Sequence, residues 1–356
     1  MNEEKKIIKA RRKRKRMISM MIITIVMLAS IGVLCYVAHK ASYQSEIILN
    51  GEETVSIPWY GEYKEDGASA YSYYKLFGRG EKEIPVDISG NPDPKHPGDY
   101  TITYTAKDGD KVLEAKRTVT VQPMSDEQRA ALIAIRDAFT KKTVDDYPED
   151  QKIIFLTFDD GPGAYTERLL GILDKYDVKA TFFVTQNFPD YKNMIGEEAR
   201  RGHTVAVHTK SHQPKQVYNS EEAFWSDIEA MNDIIEEQTG ERSKFMRFLG
   251  GGSNTISKYN PGIMTKLTQS VEAHGYQYFD WNVSSGDSDG TKTAEGCLQN
   301  LKSELGERRV SVVLCHDIKE YLVDCMEDFI PWALDNGYVF MPIYDGAPTA
   351  HHKVFN

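Results

Sequence analysis

Cysteine is scarce in this sequence, with four residues in a chain of 356. Cys35 lies in an apolar run near the start, which leaves Cys297, Cys315 and Cys325 in the remainder. Three thiols can form at most one internal disulfide, whose pairing stays open. The sequence also contains no Cys-x-x-Cys pair. These counts exclude a disulfide-stapled scaffold and a thiolate metal site of the zinc-finger kind.

A surplus of positive charge is absent outside the first 16 residues. Those residues hold nine Lys or Arg against two Glu, a balance of +7, whereas the whole chain has a formal net charge of −10. The other 340 residues therefore carry a net charge of −17. Since nucleic-acid binding depends on a basic face, we expect no nucleic acid among the partners of this protein.

One long uncharged run, residues 17–38, follows the basic residues. As a helix its 22 residues would span about 33 Å, enough for a bilayer core of about 30 Å. We predict a transmembrane anchor over 17–38, a basic cytoplasmic tail over 1–16, and a body outside the cell membrane. A cleavable signal peptide is the alternative, although the apolar run is long for one and no clean Ala-x-Ala site follows it. Both interpretations export the body.

Residues 47–122 have the pattern of a small all-β domain. Polar and apolar residues alternate over 101–106, and turn-forming residues such as those at 90–94 separate the short runs. These features predict a β-sandwich, and the stretch 91–106 resembles the bacterial immunoglobulin-like repeats of surface proteins. Its tyrosines could stack on sugar, but we favour a spacer between membrane and enzyme. These tyrosines are Tyr60, Tyr63, Tyr71, Tyr73 and Tyr74.

A capping box beginning at Ser125 starts a helix, and we assign residues 123–150 to a helical linker. From 151 to 346 the pattern changes to strand, loop and helix, repeated about seven times. This α/β pattern predicts a parallel sheet closed, or nearly closed, into a barrel, with its chemistry at the carboxyl ends of the strands. The predicted strands are 153–158, 180–184, 204–207, 245–248, 278–283, 310–315 and 339–341.

Polar residues cluster at several of these strand ends. Asp159 and Asp160 follow the first strand, His208 and His212 follow the third, and His316 ends the sixth. Two adjacent carboxylates there are costly unless they are paired, protonated or bound to metal. One carboxylate and two imidazoles would leave metal coordination positions open for water and substrate. Each piece alone could be a turn, a cap or a surface pair, but the ordered set favours a metal-dependent active site.

The segment 152–345 resembles the polysaccharide deacetylases of carbohydrate esterase family 4, which adopt a distorted (β/α) barrel. The resemblance is carried by five motifs: Thr-Phe-Asp-Asp-Gly-Pro at 157–162, His-Thr-Lys-Ser-His at 208–212, Arg247, Trp-Asn-Val-Ser-Ser-Gly-Asp at 281–287, and Leu-Cys-His at 314–316. It implies a distorted barrel of about seven parallel strands, a catalytic domain over 151–346, and a hydrolase of amide bonds.

The resemblance also implies residue roles. They are Asp159 as general base, Asp160, His208 and His212 as metal ligands, Arg247 as the residue that orients the base, His316 as general acid, Asp287 as its partner, and Leu314, Gly250 and Trp281 at the substrate. The implied metal is a divalent ion, Zn²⁺ first and Co²⁺ or Ni²⁺ next. The implied activity is N-deacetylation of an extracellular polysaccharide, with peptidoglycan N-acetylglucosamine or N-acetylmuramic acid units favoured. An O-acetyl esterase on xylan and a catalytically silent glycan-binding protein are the alternatives.

Three positions depart from the family pattern. Leu249 replaces the usual Pro of the third motif and precedes three glycines, so we expect a more mobile loop there. Ser284 and Ser288 replace an Asp and a Trp of the fourth motif, which bears on substrate fit.

His351 and His352 follow the last predicted strand in a polar segment, where we expect at most an incidental metal contact.

Overall fold

The computed structural model describes residues 2–76 and 82–355, and the chain divides into two compact units, residues 1–123 and 124–356. The first unit begins with helix α1 (Asn2–Ala41), whose apolar stretch contains the predicted anchor. The helix is long and apolar enough over Glu3–Ala41 to cross a membrane, and a signal sequence would meet the same criteria.

The rest of the first unit consists of two β-sheets. Strands β1, β3 and β4 form one antiparallel sheet; in the other, the strand order is β2, β7, β6, β5, with β2 and β7 parallel. Ala70 and Ile84 pack against Ala106 and Leu113 between them. This is the small sandwich that the sequence predicts. The strands are β1 (Tyr43–Leu49), β2 (Thr54–Ile57), β3 (Ala68–Tyr74), β4 (Lys82–Ile84), β5 (Val86–Ser89), β6 (Gly98–Asp108) and β7 (Lys111–Val121).

The second unit contains one curled sheet of eight parallel strands. These are β8 (Ile153–Asp159), β9 (Thr181–Val184), β10 (Thr204–Val207), β11 (Phe245–Met246), β12 (Gln277–Tyr278), β13 (Val283–Ser284), β14 (Val310–His316) and β15 (Val339–Phe340). The strand order is β12, β11, β10, β9, β8, β14, β13, and β15 pairs with the first residues of β8. The predicted α/β barrel of parallel strands is confirmed.

Eight helices accompany this sheet within the described residues. They are α2 (Asp126–Thr140), α3 (Thr166–Lys175), α4 (Met194–Arg200), α5 (Pro214–Val217), α6 (Glu221–Thr239), α7 (Ile263–Ser270), α8 (Ala294–Leu305) and α9 (Glu320–Asp335). The segment predicted as a linker contributes α2, which starts with both hydrogen bonds of the Ser125 capping box and packs on α4 in the second unit.

Strand β8 is buried on both faces, as a central strand of a parallel sheet should be. Its alternate side chains enter two separate cores. Ile154 and Phe158 pack beneath the helices, whereas Ile153 and Phe155 pack in the interior of the curled sheet. Strand β8 is therefore held by a core on each face of the sheet. Its last residue, Asp159, lies at the carboxyl edge.

The predicted strand over 278–283 is two short strands at opposite ends of the sheet. Tyr278 in β12 pairs with Met246, and Val283 in β13 pairs with Val313. Residues 279–282 consequently cross the opening between the two ends and complete the barrel. Apolar and polar residues alternate without a break from Phe279 to Val283, so the sequence pattern does not indicate where the strand changes partner. This change of partner gives eight strands where about seven were predicted.

Candidate active site

The site lies at the carboxyl ends of four strands. Asp159 and His316 are the last residues of β8 and β14 and stand side by side in the register of those strands. His208 directly follows β10, and Arg247 directly follows β11. The topology therefore brings together side chains that are up to 157 positions apart in the sequence.

Asp159 is held by a fully buried arginine. Arg247 Nη1 donates to Asp159 Oδ1 at 2.7 Å and to Thr157 Oγ1 at 2.7 Å. Arg247 Nε donates to the carbonyl of Phe279 at 2.9 Å. Since every one of these groups is buried, the pair is desolvated and strongly directional. The arginine fixes one carboxylate oxygen of Asp159 and leaves the other for chemistry.

Asp160, His208 and His212 form a possible metal site. One ligand atom from each lies within 4.8 Å of the others. Asp160 Oδ1 is 2.9 Å from His212 Nε2 and 3.5 Å from His208 Nε2. His208 Nδ1 donates to the carbonyl of Arg247 at 2.8 Å, which fixes its tautomer and leaves Nε2 free to bind metal. One carboxylate oxygen and two imidazole nitrogens are the donor set that Zn²⁺ and similar ions accept.

Two of these ligands have an unusual backbone conformation. Asp160 has φ +76° and His212 has φ +50°, in the left-handed region that non-glycine residues rarely adopt. Among the described residues, only two other non-glycine residues share it, Tyr60 and Asp177. Such conformations cost about 1–3 kcal/mol and persist where the surroundings impose them. The fold thus strains the backbone at the residues whose side chains converge.

His316 is paired with a buried carboxylate. Asp287 Oδ1 accepts from His316 Nδ1 at 2.8 Å, and Asp287 Oδ2 accepts from the backbone N–H of His316 at 2.8 Å. Tyr321 donates its hydroxyl to the carbonyl of Asp287 at 2.6 Å. Burial favours the neutral imidazole, but the hydrogen bond and negative charge of Asp287 outweigh it and raise the pKa of His316 to about 9.

The candidate ligands also have shifted pKa values. Burial opposes ionisation of Asp160, yet the hydrogen bond from His212 and the nearby His208 and His316 hold its pKa well below the usual range. Burial lowers the pKa of His208, so its imidazole stays neutral and retains a lone pair. A carboxylate and a neutral imidazole are the forms that bind metal.

The predicted substrate residues lie on or beside strands of the same sheet: Gly250 follows β11, Trp281 lies between β12 and β13, and Leu314 is in β14. Gly250 is exposed, Trp281 is half-buried, and Leu314 is buried in β14 three residues before Asp317. In the described part of the chain, the N–H of Gly250 has no hydrogen-bond acceptor, whereas Gly251 N–H donates to Phe248 O. The carbonyl of Leu249 accepts the hydroxyl of Tyr218 at 2.7 Å. The loop that lacks the family's Pro is therefore held by side chains from outside it.

Comparison with known proteins agrees with this geometry. The sequence model of the family "Polysaccharide deacetylase" matches residues 146–279, and that of "Bacterial surface protein, Ig-like domain" matches residues 47–121. A crystal structure is known for the catalytic domain of a peptidoglycan N-acetylglucosamine deacetylase from Eubacterium rectale, and that domain is 55% identical in sequence to the matching part of this chain. The match covers 59% of this chain and 96% of that one, with a TM-score of 0.58. The chain belongs to the polysaccharide deacetylase family.

Two curated relatives of this deacetylase come from Bacillus. A peptidoglycan-N-acetylglucosamine deacetylase of Bacillus cereus is 28% identical over 54% of this chain and 69% of its own length. A peptidoglycan-N-acetylmuramic acid deacetylase of Bacillus subtilis is 25% identical over 65% of this chain and 83% of its own length. The resemblance drawn from the motifs is confirmed, and the chain is a hydrolase of amide bonds.

Two buried carboxylates beside the site received no role from the sequence. Asp317 lies directly under the turn at Gly161, where its carboxylate accepts the hydroxyl of Thr166. Thr166 Oγ1 in turn accepts the N–H of Gly163 at 2.8 Å, and burial raises the pKa of Asp317 to about 7. Asp317 thereby supports the turn that presents Asp160. The other carboxylate is Asp280, which is adjacent to Trp281 and fully buried.

Gly161→Ala is expected to destabilise this deacetylase and weaken its metal binding. A Cβ at position 161 would overlap both carboxylate oxygens of Asp317, which has no room to move because it is fully buried. Overpacking of this kind costs about 1–3 kcal/mol. Thermal denaturation and a zinc titration measure both effects.

The matched control is Gly171→Ala in α3, where an added Cβ meets nothing within 4 Å. Because Gly171 is an exposed position inside this helix, the change should stabilise the protein by about 0.5–1 kcal/mol. The same melting temperature and the same zinc affinity in the two variants would contradict the assigned role of Gly161.

Proposed function

We propose that this protein removes N-acetyl groups from extracellular peptidoglycan, at N-acetylglucosamine or N-acetylmuramic acid units, in a metal-dependent reaction. The observation that carries the proposal is the arrangement of two buried pairs around one ligand set. Asp159, held by Arg247, directly precedes Asp160 in the chain. His316, held by Asp287, is the neighbour of Asp159 across β8 and β14, and its Nε2 lies 4.0 Å from Asp160 Oδ2. A general base and a general acid close to one metal site are the groups that metal-assisted amide hydrolysis uses.

The metal would be held by Asp160, His208 and His212, and Zn²⁺ is the first candidate, with Co²⁺ or Ni²⁺ as alternatives. When bound, such an ion supplies Lewis acidity toward the acetamide carbonyl and lowers the pKa of water. The chain's contribution is to supply three ligands and to leave coordination positions open, as catalytic sites do.

Asp159 would act as the general base. Its Oδ2 is not used by Arg247, which binds Oδ1 alone. That free oxygen can accept a proton from the water as the water oxygen bonds to the carbonyl carbon. Arg247 holds the carboxylate in place during this transfer, and its further bond to Phe279 O prevents rotation of the guanidinium.

His316 would act as the general acid. Its raised pKa keeps it protonated at neutral pH, with Nδ1–H directed to Asp287 and Nε2–H directed to the side of Asp160. Donation of that proton to the amide nitrogen allows the C–N bond to break, which releases acetate and a free amine on the sugar. The N–H of Gly250 would stabilise the oxyanion, while Leu314 and Trp281 would bound the acetyl group.

We further propose that α1 anchors the protein in the cell membrane, with its amino-terminal end in the cytoplasm and the catalytic unit outside. The basic residues before the apolar stretch support this orientation. The immunoglobulin-like unit would then be a spacer between the membrane and the enzyme. This placement puts the site near the cell's own wall and favours peptidoglycan over a distant glycan.

The decisive experiment is acetate release by the full chain in detergent on peptidoglycan, chitin oligomers and acetylated xylan. Each substrate is tested with Zn²⁺, with Co²⁺ and with chelator. We expect metal-dependent release from an N-acetylated glycan. Release from acetylated xylan alone would make the protein an O-acetyl esterase, and glycan retention without release would make it a binding protein.

His316→Ala is expected to lower kcat by about 10²–10³-fold with bound metal unchanged. General acids contribute rate factors of this order, and the imidazole is outside the ligand set. Kinetics on the active substrate and metal analysis of the same preparation measure the two quantities. Joint loss of metal and activity would mean that His316 is a ligand rather than an acid.

A further inference from the structure

Residues 347–355, which follow the last strand, pack against the segment that completes the barrel. Asp280 N–H donates to the carbonyl of Ala350 at 2.9 Å. The ring of His351 stacks on Tyr278 with centroids 3.9 Å apart, and its Nε2 lies 3.1 Å from Tyr278 O. The polar segment that the sequence left without a role is therefore seated beside the fourth motif.

Asp280 connects this segment to the glycine loop, residues 250–252. Its carboxylate is fully buried. Oδ1 accepts the N–H of Gly252 at 2.7 Å, and Oδ2 accepts the N–H of His352 at 2.8 Å. The backbone carbonyl of Asp280 also accepts from Arg247 Nη2 at 3.2 Å. Asp280 thus contacts the glycine loop, residues 347–355 and the arginine that holds the general base.

The ring of His352 connects Ser253, which follows the glycine loop, to Trp281. Its Nε2 lies 2.7 Å from Trp281 O, and because a carbonyl only accepts, Nε2 is the protonated nitrogen. Nδ1 can then accept from Ser253 Oγ at 3.1 Å. The ring also meets the Trp281 ring edge-on, with centroids 4.6 Å apart. His352 therefore fixes the residue after the glycine loop relative to Trp281.

The glycine loop is packed closely enough for these connections to set its position. A Cβ on Gly251 would come within 2.9 Å of the Trp281 ring, and a Cβ on Gly252 within 2.8 Å of Asp280 Oδ2. Gly251 has φ +79°, which favours glycine in its own right. Glycines leave a chain conformationally free, so without outside contacts this loop would lose more entropy on ordering than most. The contacts of Asp280 and His352 restrict it.

We propose that His352 and Asp280 are positioning residues that hold the glycine loop, and with it the N–H of Gly250, in place for the reaction. The inference rests on the proposed deacetylase function. It concerns the loop in which the family's Pro is replaced by Leu249, and it assigns the stiffening to side chains outside the loop. Neither residue touches the substrate; both act through the loop and Trp281.

The test compares His352→Phe with His351→Phe in the full chain. His352→Phe keeps an aromatic ring beside Trp281 and removes both ring hydrogen bonds. His351→Phe is the matched control, since it alters the neighbouring histidine and leaves the loop contacts intact. For His352→Phe we expect about a 10-fold lower kcat with KM within about twofold. Amide hydrogen exchange over 248–256 should become faster, with metal content unchanged. His351→Phe should change none of these.

Two further variants keep the inference falsifiable if His352→Phe folds poorly. Ser253→Ala removes the loop's partner for the ring and should lower kcat about threefold. His352→Gln, whose amide can both donate to Trp281 O and accept from Ser253, should restore most of the lost rate.

The outcomes separate this inference from the proposed function. Absence of acetate release by the wild-type protein would refute the deacetylase proposal, and hydrogen exchange would still test the loop contacts. An active wild type with unchanged kcat and exchange in His352→Phe and Ser253→Ala would overturn the positioning role alone. A higher KM with unchanged kcat would also overturn the positioning role, because it would place His352 at the substrate.

Discussion

Asp159→Asn is expected to lower kcat by about 10³–10⁴-fold while the protein keeps its metal. An amide cannot accept the proton of the attacking water, whereas it preserves the size of the side chain and an oxygen for Arg247. Asp159 is outside the ligand set formed by Asp160, His208 and His212. The variant should therefore lose activity and keep its metal content.

The buried environment of Asp159 determines the controls for this variant. Removing one charge from a buried ion pair can cost about 3–5 kcal/mol of stability, because the remaining charge is left uncompensated. The melting temperature must therefore be measured beside kcat and zinc content. Asp345→Asn is the matched control, since it makes the same chemical change at an exposed carboxylate near Lys244. Retention of more than about a tenth of wild-type kcat by Asp159→Asn would contradict the assignment of a general base.

The fold and the positions of the site were accessible from the sequence because their signals are local. Strand β8 is a continuous apolar run, and the two aspartates at its end stand next to each other in the chain. His208 and His212 are four residues apart and follow one short strand. Each signal fits within a few residues, and the parallel topology then determines that the strand ends meet.

Other parts of the site depend on contacts between distant residues, which no local pattern reveals. The exchange of partners between β12 and β13 takes place inside one run of alternating apolar and polar residues, whose periodicity does not change at the break. Asp280 accepts hydrogen bonds from Gly252, 28 positions before it, and from His352, 72 positions after it. Asp317 supports the turn at Gly161 from the position directly after β14, 156 positions later in the chain. A lone aspartate or a histidine pair in a polar segment gives no indication of such partners.

The expectation of a mobile third-motif loop illustrates the same limit. From the sequence, Leu249 and the glycines after it predict a loop without internal stiffening. The structure shows contacts to the loop from Tyr218, from Asp280 and from Asn254, whose side-chain amide donates to Gly251 O at 2.7 Å. Stiffness of a loop is thus a property of its surroundings as well as of its own residues.

Removal of the metal is expected to abolish acetate release reversibly. The candidate ligands are positioned by the ends of β8 and β10, and His208 is further held by its hydrogen bond to Arg247 O. Chelation should therefore leave a folded protein that regains activity when Zn²⁺ is added. Bound ion should also raise the melting temperature, because a ligand at about 100 times its Kd stabilises the native state by about 2.7 kcal/mol.

His208→Ala tests the same site without chelator. The variant loses one of three ligands and should bind Zn²⁺ at least about 100-fold more weakly, since even partners of ligands contribute 10–100-fold. Its melting temperature should no longer respond to Zn²⁺, and acetate release should fall below detection. His96→Ala is the matched control, because it removes a histidine paired with a single carboxylate, Asp93, in the first unit. Zinc-dependent stabilisation that survives in His208→Ala and disappears in His96→Ala would place the metal elsewhere in the chain.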